Sequence, residues 1–455
     1  MLSARHAPRI VTRSMCSVVG MTLILLLWGA RPANAHNTII NSSPRDGDVL
    51  VTTPPTWSIE FAKDVPLPSA SAEIVLSDGV RRRLETPRHG TSARVVVFDL
   101  PAPLSGNVTA RWRLVGTDGH VISGRVSFTV MADGIAMPQA QQPVAAPTAD
   151  VKTLDANGLA VPEPVRVVVR YINYSALLLL GGLLFAELYV AAGAVATVIG
   201  RRLLVGGAFT LATGSLVSFI TFVADLRDGS NSLVEATSGA LGLTPGGMLL
   251  FRVLSSFAVV GGLLRFWRVN PVNDVRSTDG LCTRMALLLV LYAVAMAFGG
   301  HSRSQRASWL GIPADVLHVS AAAVWIGGLI ALLAVVIPAV DTNQAMQALD
   351  RFSVSAQRAV GVIVVTGLVQ SIRLHGRVWS IASTSHGRLL LLKVTIVVMM
   401  LTLGARNRRR LIERRRTTTH DEVTKAAVLR SSLIEVGFGA AAITVTAILV
   451  ALSPE

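Results

Sequence analysis

Cysteine is nearly absent from this sequence. Only two of its 455 residues are cysteines, Cys16 near the amino terminus and Cys282 in a predicted loop. Because Cys16 falls in a predicted leader, the mature chain has no pair of thiols for an internal disulfide or for a CxxC metal site. Any bound metal must therefore have nitrogen, oxygen or thioether ligands.

Charge is also scarce, and acidic charge most of all. Charged residues make up 15% of the chain and hydrophobic residues 51%, whereas soluble domains are about a quarter charged. This deficit indicates a membrane protein. The net charge of +15 is concentrated in short segments between apolar runs, where the positive-inside rule explains it. The densest segment, Arg406 to Arg416, lacks interleaved aromatic residues, so we expect a cytoplasmic loop and no nucleic acid partner.

Residues 1–35 have the three parts of a secretory signal peptide. Basic residues precede an apolar core from Ser17 to Gly29, and Ala33-Asn34-Ala35 supplies a small-x-small cleavage site. The core is shorter than the ~20 residues that span a bilayer, which favours cleavage over an uncleaved anchor. Cleavage would make His36 the first residue of the mature protein, with a free α-amine beside its imidazole.

Residues 36–131 predict an all-β domain. Short apolar runs, such as those from Trp57 to Phe61 and from Val126 to Val130, are separated by Pro, Gly and Asp turns. Strands at this spacing predict a Greek-key sandwich or barrel. Residues 132–162 are rich in Ala, Pro and Gln without periodicity and predict a linker.

Residues 163–455 predict an all-α polytopic membrane domain of about eight helices. Each apolar run is long enough, or nearly so, to cross a bilayer. The runs lie at 166–198, 203–224, 247–267, 284–300, 312–339, 353–373, 387–404 and 431–451. Arg residues gather in the connections after odd-numbered runs, which the positive-inside rule assigns to the cytoplasm. We therefore expect a multi-pass protein of the plasma membrane with its β-domain on the periplasmic or extracellular face.

One hairpin carries the clearest chemistry. The stretch from Arg111 to Val130 alternates apolar and polar residues on both sides of a tight Asp118-Gly119-His120 turn. With His36, the turn offers two imidazoles, an amine and a carboxylate, a nitrogen-rich set that suits Cu(II). The alternative is an ordinary Asp-Gly turn beside a solvated histidine.

The opening HNTIINSSPRDGDVL and the hairpin GTDGHVISGRVSFTV resemble the CopC family of copper-binding domains over residues 36–131. The resemblance implies that His36 binds Cu(II) through its amine and imidazole, with His120 and Asp118 as further ligands, in an arrangement like a histidine brace. Some members also hold Cu(I) on methionines. The mature β-domain has no methionine before Met131, so we expect no thioether Cu(I) site.

Four histidines of the membrane half fall near the predicted outer face. His301 follows the fourth run and His318 lies in the fifth, while His375 and His386 lie in or beside the next outer loop. Polar residues within spans are costly and often functional. Each histidine taken singly is better explained by packing or by the membrane interface. Their shared side favours a copper path, with His301 and His318 as its leading candidates.

Other residues in the spans have simpler explanations. The pairs Gly181-Gly182, Gly261-Gly262 and Gly327-Gly328 predict close helix packing. Glu187 in the first run and Lys393 in the seventh need partners, either each other or the backbone, unless they line a polar path.

The stretches DVLHVSAAAVWIGGL, RFS, VTGLVQS and HGRLLLLKVTIVVMMLTLGARNRRR resemble the CopD family of copper-resistance membrane proteins. The whole chain is thus similar to a natural fusion of CopC and CopD. The resemblance implies copper handling at the cell envelope, commonly copper uptake. The sequence contains no GxxxxGK[ST] motif, so nothing in it supports ATP-driven pumping.

The predicted function is therefore copper transport in import, homeostasis or resistance, by a protein that is not an enzyme. The β-domain would capture Cu(II), from solution or from a copper donor outside the membrane, and the helices would pass copper into or across the lipid bilayer. Two alternatives use the same residues. One is a copper monooxygenase with a histidine brace, and the other is a copper chaperone or sensor that conducts no copper.

Overall fold

The structure is a computed structural model, and it describes residues 39–62, 64, 65, 67, 70–115, 121–131, 161–227, 232–269, 275–300, 307–375, 385–415 and 422–451. The predicted signal peptide and nearly all of the predicted linker lie outside these residues. The described residues form a β-domain and, after it, a set of helices.

The β-domain has nine strands among its described residues, arranged in two sheets. They are β1 (Ile39–Ser43), β2 (Val49–Leu50), β3 (Thr56–Phe61), β4 (Ser71–Val75), β5 (Arg81–Arg83), β6 (Arg88–His89), β7 (Val95–Asp99), β8 (Gly106–Val115) and β9 (Val121–Val130). The first sheet has the order β1-β3-β7-β6 and the second β2-β9-β8-β4-β5. Among the described pairings, only that of β2 with β9 is parallel.

Alternating side chains build one core between the two sheets. In β3, Trp57, Ile59 and Phe61 are buried, and the residues between them are half-buried, as the two-residue period of a strand requires. Val108 and Phe128 of the second sheet join them in a single apolar cluster. The predicted all-β domain is confirmed, and its architecture is the sandwich.

Nine helices are described after the β-domain. They are α1 (Glu163–Phe185, continued by the π-helical turn Ala186–Val190), α2 (Val198–Leu226), α3 (Leu233–Gly242), α4 (Thr244–Val269), α5 (Val275–Phe298), α6 (Ser308–Ala339), α7 (Thr342–His375), α8 (Ser385–Arg415) and α9 (Glu422–Leu449). All but α3 are long and apolar enough to cross a membrane. The predicted domain of about eight membrane helices is confirmed.

Three details differ from the sequence prediction. The short helix α3 is not predicted, although Ser232 and Glu235 form a capping box at its start. Helices α8 and α9 extend into the Arg-rich stretch that is expected to be a loop, since Arg is a good helix former. Cys282, also expected in a loop, is buried in α5, because that helix begins before the apolar run does.

Contacts between helix ends indicate that the chain alternates in direction from one span to the next. Arg166 at the start of α1 pairs with Asp225 at the end of α2, with N···O distances of 2.8 Å. Arg373 near the end of α7 lies against Gly311 at the start of α6. One end of the bundle therefore carries the start of α1, where the linker arrives. This linker end is formed by Glu163, Leu226, Thr244, Phe298, Ser308, His375, Ser385 and Leu449.

Glycine allows α1 and α6 to touch through their backbones. A Cβ on Gly182 would lie 1.9 Å from the carbonyl carbon of Gly327, and one on Gly181 would lie 2.8 Å from the Ala323 Cβ. The predicted close packing is confirmed at these positions. It is wrong for Gly261 and Gly262 in α4, where no atom of the described residues lies within 4 Å of an added Cβ.

Candidate functional site

The three candidate ligands of the soluble site, His36, Asp118 and His120, lie outside the described residues, and so does His301. Within the part of the chain that is described, no three His, Cys, Asp or Glu side chains form a group that could hold a metal. The soluble copper site stays a prediction. What the structure adds is the position of the strands beside it.

The strands on either side of the predicted turn form the expected hairpin. β8 and β9 pair along their whole length, from Gly106 opposite Val130 to Val115 opposite Val121. The segment 116–120, which contains Asp118 and His120, joins the last of these pairs. It is therefore attached at one end of the sandwich.

The start of β1 lies at that same end. Ile39, which follows His36 closely in the sequence, is opposite Phe61 in the first sheet. The Phe61 ring packs edge-on against the Trp112 ring of β8, with their centroids 5.1 Å apart. Trp112 lies near the end of β8 that leads into segment 116–120. The sequence before β1, which carries His36, and segment 116–120 are thus attached to strand ends that face each other across the core.

The course of the chain after β1 agrees with this direction. Beyond Ser43 the chain crosses to the second sheet, where the backbone N–H of Gly47 donates to the carbonyl of Ser127 at 2.7 Å. The Asp46 carboxylate accepts from the backbone N–H of Ser127 at 2.7 Å. Ser127 lies toward the far end of β9. β1 therefore begins beside the 116–120 end of the hairpin and runs away from it.

Trp112 is a feature of this end that the sequence pattern does not predict. Its ring lies over Gly124 of β9, where an added Cβ would come within 2.8 Å of the indole. Its buried Nε1 has no hydrogen-bond partner among the described residues. The sequence signal is slight: a glycine within a strand often marks a close approach of another group.

The described membrane histidines all lie toward the linker end. His318 is in the first half of α6. His375 is the last residue of α7, and its side chain lies outside the described set. His386 is at the start of α8 and is 3% exposed. The structure gives a defined hydrogen bond for His318.

His318 is held between α6 and α7. Its Nδ1 lies 2.9 Å from the Oγ1 of Thr366 in α7. Thr366 is buried, and its Oγ1 also lies 2.6 Å from the carbonyl oxygen of Val362, one turn earlier in the same helix. The Cε1 edge of the imidazole faces Gly367, 3.7 Å from where a Cβ would stand.

Nearer the linker end, an amide side chain joins the same two helices. The Nε2 of Gln370 donates to the carbonyl of Gly311 at 3.0 Å and also hydrogen-bonds to Asp315. The Oε1 of Gln370 accepts from the guanidinium of Arg373. Polar contacts therefore connect α6 and α7 over successive turns, in a part of the membrane domain where apolar packing is the usual rule.

Lys393 brings α8 to the same region. Lys393 lies within electrostatic range of Asp315 and of His318. Asp315 is thus the acidic group within that range. His386 lies seven residues before Lys393, about 10 Å of helix rise toward the linker end and on the same helix face.

Glu187 is paired with the backbone. Its carboxylate accepts from the N–H groups of Gly193 and Val195, each at 2.8 Å, and it is 2% exposed. These bonds close the connection between α1 and α2, at the end of the bundle opposite the linker. Glu187 therefore stabilises a turn and does not belong to the histidine region.

A second polar group lies among α2, α4 and α5, and it is not predicted from the sequence. The guanidinium of Arg252 donates to the Tyr292 hydroxyl at 2.9 Å and lies 5.0 Å from that ring's centroid. The same hydroxyl is 3.0 Å from the Oγ of Ser215. The signal for this group is Arg252 itself, a charged residue inside an apolar run.

Comparison with protein families finds matches in both halves of the chain. The CopC domain family matches residues 39–131, the whole of the described β-domain. The family described as Copper resistance protein D, or CopD, matches residues 346–449. This second match covers α7, α8 and α9, so it includes Thr366 and Lys393 but not His318.

Individual relatives extend these matches. The copper transport protein CutJ of Bacillus subtilis (strain 168) is 26% identical over 390 residues, which cover 82% of this chain and 67% of that protein. Copper resistance protein D of Pseudomonas syringae pv. tomato is 27% identical over 248 residues, covering 51% of this chain and 78% of that protein.

Among solved structures, CopC from Methylosinus trichosporium OB3b is 22% identical and covers 22% of this chain and 100% of that one, with a TM-score of 0.21. PcoC from Escherichia coli, in its selenomethionine form, is 19% identical and covers 20% of this chain and 98% of that one, with a TM-score of 0.19. The family matches, the curated relatives and the eight spans together give one conclusion. The chain carries a CopC domain followed by a CopD domain, in a multi-pass membrane protein.

Proposed function

We propose that this protein captures copper at the outer face of the plasma membrane and passes it into or across the bilayer. The observation that carries the proposal is the joining of a CopC domain and a CopD domain, with eight spans, in one chain. Such a chain has both a soluble part and a membrane part suited to the same ion. Copper transport and copper resistance are also in the names of its relatives.

In this proposal His36, Asp118 and His120 bind Cu(II) as it is captured. Two imidazoles, an amine and a carboxylate suit that ion by ligand type and geometry. The positions of β1 and of the β8–β9 hairpin support the proposal. The start of β1, which follows His36, and the end of the hairpin that leads into Asp118 and His120 lie at the same end of the sandwich. The amine of His36 is available only after cleavage behind Ala35.

Copper then passes to the linker end of the membrane domain. His386 at the start of α8 and His318 in the first half of α6 both lie toward that end. His375 ends α7 at the same end, and His301 belongs to the sequence that connects α5 with α6. The Arg-rich end of α8 and the start of α9, which carries Lys425 and Arg430, are at the opposite end, so the positive-inside rule favours a linker end that faces outward.

A copper flux measurement tests the proposal. The purified mature chain is reconstituted in vesicles and its accumulation of radioactive copper is followed. We expect uptake by the wild type and a large loss at low copper concentration for His36→Ala and for a chain with one alanine added ahead of His36. The added alanine keeps the imidazole but moves the amine away, so it tests the amine separately.

His89→Ala is the matched control, because His89 is an exposed histidine of the same domain, in β6. We expect it to transport copper like the wild type. Copper binding without flux in the wild type would contradict transport and indicate a chaperone or sensor. An oxidised product that requires oxygen and a reductant would indicate the monooxygenase.

A further inference from the structure

The hydrogen bond between His318 and Thr366 determines which nitrogen of His318 carries the proton. A threonine hydroxyl has a single hydrogen. The Oγ1 of Thr366 lies 2.6 Å from the carbonyl oxygen of Val362, and a carbonyl has no hydrogen to give, so the hydroxyl donates there. Toward the Nδ1 of His318, at 2.9 Å, the same oxygen must accept. His318 is therefore protonated at Nδ1.

The proton on Nδ1 leaves a lone pair on Nε2, since a neutral imidazole carries one N–H. The ring of His318 contacts Thr366 through Nδ1, and the backbone of Ile363 in the same helix α7 also hydrogen-bonds to the ring. The Cε1 edge, which lies between the two ring nitrogens, is in van der Waals range of the Gly367 position, 3.7 Å from where a Cβ would stand. The nitrogen that can bind a metal is therefore Nε2.

We infer that Thr366 is a positioning residue, which holds His318 in the Nδ1–H tautomer so that Nε2 presents its lone pair to copper in the membrane domain. Histidines that bind metals almost always donate their other N–H to a fixed acceptor, which sets both tautomer and ring orientation. The inference rests on the proposed copper passage and deepens it by naming one atom of the path.

The hydrogen bond between Thr366 and His318 satisfies a polar group of His318, whereas Thr366 does not need it. The hydroxyl hydrogen of Thr366 is already satisfied by Val362 within α7, as is common for threonine in membrane helices. What the contact adds, beside the Ile363 backbone, is a side-chain acceptor for a histidine N–H inside the helix bundle, where an unpaired polar group is costly. A residue needed for packing alone would not require the hydroxyl.

Copper flux into vesicles tests this with three variants of the full chain. Thr366→Val keeps the side-chain volume but removes the acceptor, and we expect flux to fall by about 10–100-fold. Thr366→Ser keeps the hydroxyl and should retain most of the flux. Thr395→Val is the matched control: Thr395 is an exposed residue of α8 that donates to the Leu391 carbonyl at 2.9 Å. It should transport like the wild type.

The tautomer is read directly by nitrogen NMR of the full chain labelled with ¹⁵N-histidine. The His318 signals are those lost in His318→Ala, a variant that should also lose copper flux. We expect the Nδ1–H form in the wild type and in Thr366→Ser, and loss of that form in Thr366→Val. The NMR measurement does not depend on copper. If Thr366 had only a structural role, its replacement by valine would not change the tautomer of His318.

Several results would overturn the inference. They are an Nε2–H tautomer in the wild type, full flux in Thr366→Val or His318→Ala, and equal losses in Thr366→Ser and Thr366→Val. If the wild type moves no copper under any condition, the proposed function fails, while the NMR signals still decide the tautomer. If the wild type and Thr366→Val move copper equally, only the role of Thr366 fails.

Discussion

Two glutamates illustrate how burial changes the role of a carboxylate. Glu187 is buried and accepts two backbone N–H groups. Replacing it with Gln substitutes a donor for one of the two accepting oxygens, so a buried N–H loses its partner at a cost of about 1–3 kcal/mol. We expect Glu187→Gln to lower the midpoint of thermal unfolding of the purified protein, measured by intrinsic fluorescence in detergent.

Glu235 provides the control for the same substitution. It is exposed and forms the capping box of α3 with Ser232, a position where Gln serves as well as Glu. Glu235→Gln should leave the midpoint unchanged. Equal midpoints for the two variants would show that the backbone bonds of Glu187 contribute little.

Sequence patterns identify single residues with a structural or functional role. They are less informative about which residues those side chains contact. Glu187, His318 and Lys393 stand out because ionisable residues are rare within spans. Their partners come from other turns and helices: Thr366 is 48 positions from His318 along the chain. Such contacts depend on how helices pack, which local periodicity does not contain. The ligands His36, Asp118 and His120 stay predictions, because only their neighbours in β1, β8 and β9 are described.

At the scale of elements, periodicity is informative wherever a segment is long or regularly alternating. The hairpin of β8 and β9 follows from its two-residue period, and the eight spans follow from their length. Periodicity does not predict whether the strands form a sandwich or a barrel. That depends on which distant segments pair, as β3 does with β7. The helix α3 is missed because ten residues are too few to register as a span.

Glycine pairs look alike in the sequence but differ in their packing. A Cβ on Gly182 would overlap the backbone of Gly327, whereas one on Gly262 would meet no described atom within 4 Å. Gly182→Ala should therefore push α1 from α6 and lower both the thermal midpoint and the monodisperse yield of purified protein. The overlap is with backbone, which cannot rotate away as a side chain can.

Gly262→Ala is the matched comparison in α4. With nothing to collide with, the added methyl group should leave the midpoint unchanged or raise it, since alanine is favoured over glycine in a helix by up to about 1 kcal/mol. If Gly182→Ala matched Gly262→Ala in yield and midpoint, the backbone contact of α1 with α6 would be incorrect.

At the scale of the whole molecule, the two domains have complementary chemistry. In the proposed function the β-domain offers nitrogen and oxygen ligands without thiols, and the membrane domain has His318, His386, Asp315 and Lys393 toward the linker end. Transfer of copper between them requires that the linker end and the β-domain share one side of the membrane. The basic ends of α8 and α9 then face the cytoplasm, where the positive-inside rule expects them.

Cysteine labelling in spheroplasts measures this orientation. In a chain with Cys16 and Cys282 replaced by serine, Thr91→Cys places a thiol on an exposed turn of the β-domain, and Arg409→Cys places one on the exposed basic end of α8. A membrane-impermeant maleimide should label Thr91→Cys in intact spheroplasts and Arg409→Cys only after permeabilisation. The reverse pattern would put the β-domain in the cytoplasm, where the signal peptide could not have been cleaved. His36 would then have no free amine, and capture of Cu(II) by that residue would be excluded.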